Sequence, residues 1–174
     1  MSQRVPLFAD FLGDCRHSAV HLEMRDVYTV ADEDEGFTAW KSGHRYDLAD
    51  RASWWTEFHG TVSDAVSRGV VVRRARVVSE PVTEYIRYEH SCTAQNLASG
   101  EDVRWLPRRS ALDLMVPAND VWIFDGRLVR FGLFSGEGVF LTHVMDDTPH
   151  VAKQCLSAFE AVWERAVPHA DFWV

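Results

Sequence analysis

The run "VVVRRARVV", residues 70–78, constrains this chain more than any other nine residues. Five valines make it a strand former, and so continuous a β-branched run belongs in the interior of a sheet. It also carries three arginines. Side chains alternate along a strand, so Arg74 and Arg76 share one face and Arg73 takes the other. A buried strand of this kind has to give each guanidinium an acidic partner or an anion.

Two readings stay open. In the first, Arg74 and Arg76 converge with Arg87 and His90 from the following helix and with Arg104 and Arg108 from a later strand and its exit loop. Together they grip a phosphate or carboxylate as an anion cradle. Glu89 or His90 then stands beside it as an acid–base group. In the second, Glu80, Glu84, Glu89, Glu101 and Asp102 pair the arginines internally. Helical spacing already sets Glu84 near Arg87 and Glu80 near Glu84.

Charge distribution sharpens the question. The 174 residues carry a net charge of −8, which argues against a general binder of nucleic acid or acidic membrane. Residues 68–109 run the other way, with 8 arginines against 5 acids. A basic strip on an acidic body suits one specific anion or partner. The 47% hydrophobic content and seven tryptophans are those of an ordered globular chain long enough for one real core. Three cysteines, Cys15, Cys92 and Cys155, lie far apart without a CxxC, which fits a reduced compartment and no zinc framework. The N-terminus lacks a signal-peptide core, and no apolar run reaches a membrane span. A cytoplasmic protein is expected, without membrane or direct nucleic-acid contact and without a cofactor.

Around this strand the elements fall into order. A helix is expected after Pro6, with Phe8, Phe11, Leu12 and Cys15 on one side, and "AVHLEMRD" alternates as a half-buried strand. "ADEDEGFTAWKSG" reads as a short helix whose acids, Asp32 to Glu35, sit in its first turn. "SWWTEFHGTVSDAVSRG" is a helix capped by Ser53 and ended by Gly69. Pro81 opens a helix through "VTEYIRYEH". "EDVRWLPRR" is a strand, and "NDVWIFDGRLVRFGLF" is two strands about an Asp-Gly turn of the primed type. "EGVFLTHVMDD" adds a strand, and an amphipathic helix from about Thr148 to Val167 closes the chain. The fold class is mixed α/β, or α+β: a single domain over 1–174 with a sheet of about five to seven strands covered by helices.

Other motifs are weaker. "HVMDD" sets His143 near Asp146 and Asp147 but supplies no third metal ligand, so no metal site is expected. There is no G-x-S-x-G, and "SGEG" sits between strands, where it is a turn. Trp122 and Trp163 fall at core phase, whereas Phe172 and Trp173, near the end in "HADFWV", are either tucked back or offered to a partner chain.

The segments "HLEMRDVYTVADE", "RARVVSEPVTEYIRYEH", "GEDVRWLPR", "NDVWIFDGRLVRF" and "FEAVWERAVPHADF" resemble a family of actinobacterial proteins of unknown function encoded beside XRE-type helix-turn-helix regulators. That resemblance implies an accessory role through a protein partner, such as the helix-turn-helix regulator or another protein of the same operon; a plain homodimer module is a third reading. It adds no mechanism. "AVSRGVVVRRARV", "DVWIFDGRLVRFG" and "AFEAVWERA" are similar to one half of a phospholipase D-like domain, with residues 51–174 as that core and 1–50 preceding it. The active form of that domain needs H-x-K-x4-D. Here Cys92 follows His90 at the lysine position and no histidine has lysine two residues on, so the likeness implies architecture without the catalysis. The expected function is that of a non-enzymatic regulatory accessory protein; the alternative is a small-anion sensor or cryptic phosphodiesterase using the arginine strip.

Overall fold

The computed structural model describes residues 6–29 and 31–174, and the backbone alone for 31–34. The side chains of Asp32, Glu33 and Asp34 in the acidic quartet therefore lie outside the described residues. Seven strands form one mixed sheet in the order β6-β5-β4-β1-β2-β3-β7. They are β1 (Ser18–Glu23), β2 (Val71–Val78), β3 (Asp102–Pro107), β4 (Asp120–Phe124), β5 (Leu128–Phe134), β6 (Phe140–Asp146) and β7 (Val167–Pro168). β1 pairs parallel with β2, and β2 with β3; the remaining pairings are antiparallel. The arginine-bearing run is thus an interior strand, flanked on both sides. β1 is central as well, so Ser18–Glu23 lies in the interior of the same sheet.

Five α-helices cover the sheet: α1 (Phe8–Asp14), α2 (Ala31–Lys41), α3 (Glu57–Ser67), α4 (Glu84–Ala98) and α5 (Pro149–Arg165). Helix α5 lies on one face alone. There Val20, Leu22, Ala75, Val77, Val121 and Ile123 meet Cys155, Phe159, Val162 and Trp163 in one apolar core. Helices α1–α4 cover the other face, where apolar packing splits in two. One cluster joins Leu12, Val62 and Ala65 to Ala19, Val72 and Phe124. The other joins Tyr85, Ile86 and Tyr88 to Val78, Val103 and Trp105. Between the two, the sheet face is polar.

Local signals explain the connections. Asp125 and Gly126 both have positive φ, 50° and 64°, and the Arg127 N–H bonds the Phe124 carbonyl, which makes the β4–β5 hairpin a type I′ turn. The Asp125 carboxylate also accepts the N–H groups of Arg16, His17 and Ser18, tying the start of β1 to this turn. Gly69, at φ 90°, ends α3 as expected. The start of α3 lies later than expected: its N-cap is Thr56, while Ser53 closes a separate 3-10 turn. Helix α4 begins behind Thr83, whose hydroxyl accepts the Ile86 N–H, and runs on to Ala98, well past His90.

Candidate functional site

The polar gap is a row of charges set by strand register. His21 pairs with Arg74 and Glu23 with Arg76 across β1 and β2, with all four side chains on the α1–α4 face. Glu23 accepts from Arg74 Nη1 at 2.5 Å through one oxygen and from Arg76 Nε through the other. Arg74 Nε donates to Glu101 at 2.8 Å, and Arg76 Nη2 to Glu89 at 3.3 Å. Arg76 Nη1 reaches the Thr93 hydroxyl, and Asn96 braces Glu101. The result is a buried ladder, Glu101–Arg74–Glu23–Arg76–Glu89, in which three acids flank two bases. Burial alone would raise the Glu23 carboxyl, but the two guanidinium groups outweigh it and hold it well below the usual range.

Above the ladder and toward β4, β5 and β6 lies a cavity of about 470 Å³. Its floor adds Asp120, Trp122, Arg130, Gly132 and His143, and aromatic rings from Phe8, Phe58, Tyr28, Tyr85 and Tyr88 wall it. His21 stacks on Trp122 with ring centroids 4.3 Å apart, and its Nδ1 stands 3.5 Å from Glu23. Burial drives the His21 pKa well down, so the ring is neutral. Asp120 is 5% exposed. Burial, then the nearby Glu23 charge, lifts its pKa to about 6, although the Met24 N–H donates to it at 2.7 Å. His143 is lowered to about 4 by burial and by Arg130. Gly132 keeps the floor open: a Cβ there would sit 3.2 Å from the Phe134 ring.

The structure does not bring the six residues expected as an anion cradle together. Arg74 and Arg76 do come together, but facing glutamates. Arg104 lies on the opposite face, over the Trp163 ring and donating to the Trp163 carbonyl. Arg87 is exposed on α4. Arg108 is a structural clamp, donating to the Met24 and Val77 carbonyls and to Asp26, and so joins the ends of β1 and β2. His90 bonds the Phe172 carbonyl at 2.9 Å and packs on His169, which anchors the C-terminal tail. Of the acids expected as partners, Glu89 and Glu101 serve the strip and Glu80 serves Arg109. The central one, Glu23, comes from β1. Phe172 and Trp173 do not act as a pair: Phe172 is buried in a stack on Trp105, and Trp173 is 86% exposed. Asp146 is spent on the Thr148 N–H, and among the described residues no cluster is suited to a metal.

Arg130 was missed by the sequence reading and stands apart from the other cavity arginines. It is half-buried, donates to His143 Nδ1 at 3.0 Å, and lies near the Phe8 and Phe11 rings. No carboxylate among the described residues pairs with it.

Fold and site together define a single-domain α+β protein whose seven-stranded mixed sheet carries a charged, aromatic-walled cavity on one face. Residues 6–174 match the family described as a domain of unknown function, DUF6879, and the chain belongs to that family. No curated protein matches it. Among solved structures it is similar to one titled as the structure of TrmBL2, an archaeal chromatin protein with a novel mode of DNA binding. The TM-score is 0.49 at 15% identity, covering 91% of this chain and 47% of that one. This chain spans about half the length of that neighbour, and at this degree of likeness neither fold detail nor DNA binding transfers. Among the described residues no helix is long and apolar enough to cross a membrane.

Proposed function

We propose that this chain is a ligand-binding regulatory domain: a small organic molecule occupies the cavity on the polar face, and a protein partner reads its occupancy. The observation that carries this reading is the cavity itself, of ligand size, with aromatic walls and a few convergent polar groups. Charges held inside a fold at a cost to stability are characteristic of working sites, and Asp120 and Arg130 both answer that description. Binding without chemistry is favoured by Cys92, the thiol on the cavity wall, whose pKa burial raises so that it stays protonated. The anion-sensor alternative survives only in altered form, because the strip is neutralised and Arg130 is the guanidinium left for a ligand.

The accessory role toward a helix-turn-helix regulator belongs to this same proposal, as do the actinobacterial setting, the cytoplasmic location and the phospholipase D-like half-domain ancestry. A partner-facing surface is supported by β6, an edge strand whose Leu141 and Val144 are exposed, and by Trp173. A metabolite library read by thermal shift tests the cavity, with Gly132→Val as the filled control. A ligand at a hundred times its Kd is expected to raise the midpoint by roughly 5–10 °C in the native chain. Loss of that shift in Gly132→Val supports the cavity. No stabilising compound, or equal shifts in both proteins, rules it out.

A further inference from the structure

Asp120 and Arg130 stand at two ends of one cavity, neither of them in an ion pair among the described residues, and from this we infer the class of ligand: a compact zwitterion with an aromatic body, its carboxylate on Arg130 and its ammonium on Asp120. The inference rests on the cavity reading above.

The anion-receiving end is Arg130 on β5. Its guanidinium makes one side-chain hydrogen bond, to His143 Nδ1, and lies 5.8 and 5.7 Å from the Phe8 and Phe11 ring centroids. Since that nitrogen accepts, the neutral His143 ring carries its proton on Nε2 and is a donor in its turn. The guanidinium fork of Arg130 by itself matches the two oxygens of a carboxylate.

The cation-receiving end is Asp120 on β4. One of its oxygens takes the Met24 N–H, and the Tyr28 hydroxyl neighbours the carboxyl. Tyr28 is 9% exposed, and its buried hydroxyl oxygen has no hydrogen bond of good geometry. The Tyr28 ring packs against Tyr85 at 5.8 Å and Phe134 at 5.4 Å. Ring faces around a carboxylate are what an ammonium group seeks. Glu23, at the centre of the ladder, adds negative potential from below.

Register sets the two side chains close together. Asp120 pairs with Gly132 and Trp122 with Arg130, so Asp120 and Arg130 are diagonal neighbours on one sheet face. The backbones of such neighbours are roughly 7–8 Å apart. Two opposite charges rising from one short stretch of the cavity floor suit a compact ligand whose own charges are a few bonds apart, as in an amino acid. Gly132, directly opposite Asp120, leaves the floor between them clear. A purely anionic ligand would leave Asp120 only the more distant charge of Arg25, with no ion pair, and a purely cationic one would leave Arg130 with no carboxylate at all.

A matched trio tests the inference by calorimetry: L-tryptophan, tryptamine and indole-3-propionate, at the head of equal sets of aromatic zwitterions, amines and acids. The zwitterions are expected to bind at least about 10-fold tighter than their matched amine or acid, one charge-assisted contact being worth that much. Arg130→Gln should bring the zwitterion down to the level of the amine, and Asp120→Asn to the level of the acid. Amines or acids that bind as well as the zwitterion, or zwitterions indifferent to Asp120→Asn, overturn the inference. If all three sets fail while the metabolite library yields ligands sensitive to Gly132→Val, the zwitterion class is wrong and the cavity stands. If the library fails too, both fall.

Discussion

The two faces of the central sheet are built on opposite terms. Under α5 the strands present valine, leucine, isoleucine and alanine to Phe159 and its neighbours, and water is excluded by packing alone. On the other face the same strands present Glu23, Arg74, Arg76 and Asp120, equally buried but held by directed bonds. An apolar face tolerates exchanges that keep volume. A ladder of buried charges tolerates loss of no single member, because each removal strands a charge in a low-dielectric interior. One face is built for stability. The other accepts a cost that stability alone does not explain.

Three substitutions sharpen this contrast. Phe159→Ala, at a side chain with no exposure, should cost about 3–5 kcal/mol, read as a lower urea midpoint, with the pH dependence of stability unchanged. Glu23→Gln should cost about 3 kcal/mol by leaving Arg74 and Arg76 short of their shared carboxylate. Its pH signature is distinct. The Glu23 carboxyl is held below its ordinary value in the folded chain, so its contribution is present at neutral pH and disappears as pH falls below the ordinary glutamate range. The variant should therefore lose less stability than the native chain on acidification. Asp120→Asn should act in the opposite direction, gaining about 1–3 kcal/mol at pH 7. The Asp120 carboxyl is raised to about 6 in the folded chain, so the folded state holds the extra proton and stability falls as pH rises from about 4 to 6. The variant should flatten that slope while its amide oxygen keeps the Met24 N–H. An Asp120→Asn chain less stable than the native one at pH 7 would show that the two faces do not differ in this way.

How much of this was legible depends on what period-2 alternation reports. It tells which residues share a face, and it correctly set Arg74 with Arg76 and put Arg73 on the other side. It does not tell what covers that face. The polar side of "HLE" has the look of a solvated edge, yet β1 is central and helices α1–α4 roof it. That is why Glu23, fifty residues away in sequence, was not foreseen as the partner of both arginines. Asp120, Gly132 and Arg130 meet across the readable β4–β5 hairpin, but what sets them beside the buried ladder is that β4 joins β1 antiparallel, a pairing for which no local signal exists. The Asp-Gly turn was readable from two residues, because its dihedral requirement is local. Sites assembled across strands carry their information in the pairing.

The placement of β1 also governs when the molecule can become itself. The strand at the middle of the sheet is the first one synthesised, and its two neighbours follow some fifty and a hundred residues later. Until Phe124 has left the ribosome, one long edge of β1 has no ladder to join, and Val20 and Leu22 wait longer still for the cover of α5. A topology so rich in distant contacts folds slowly and late. For this chain, the interval between synthesis of the centre and arrival of its neighbour leaves an apolar strand edge unpaired.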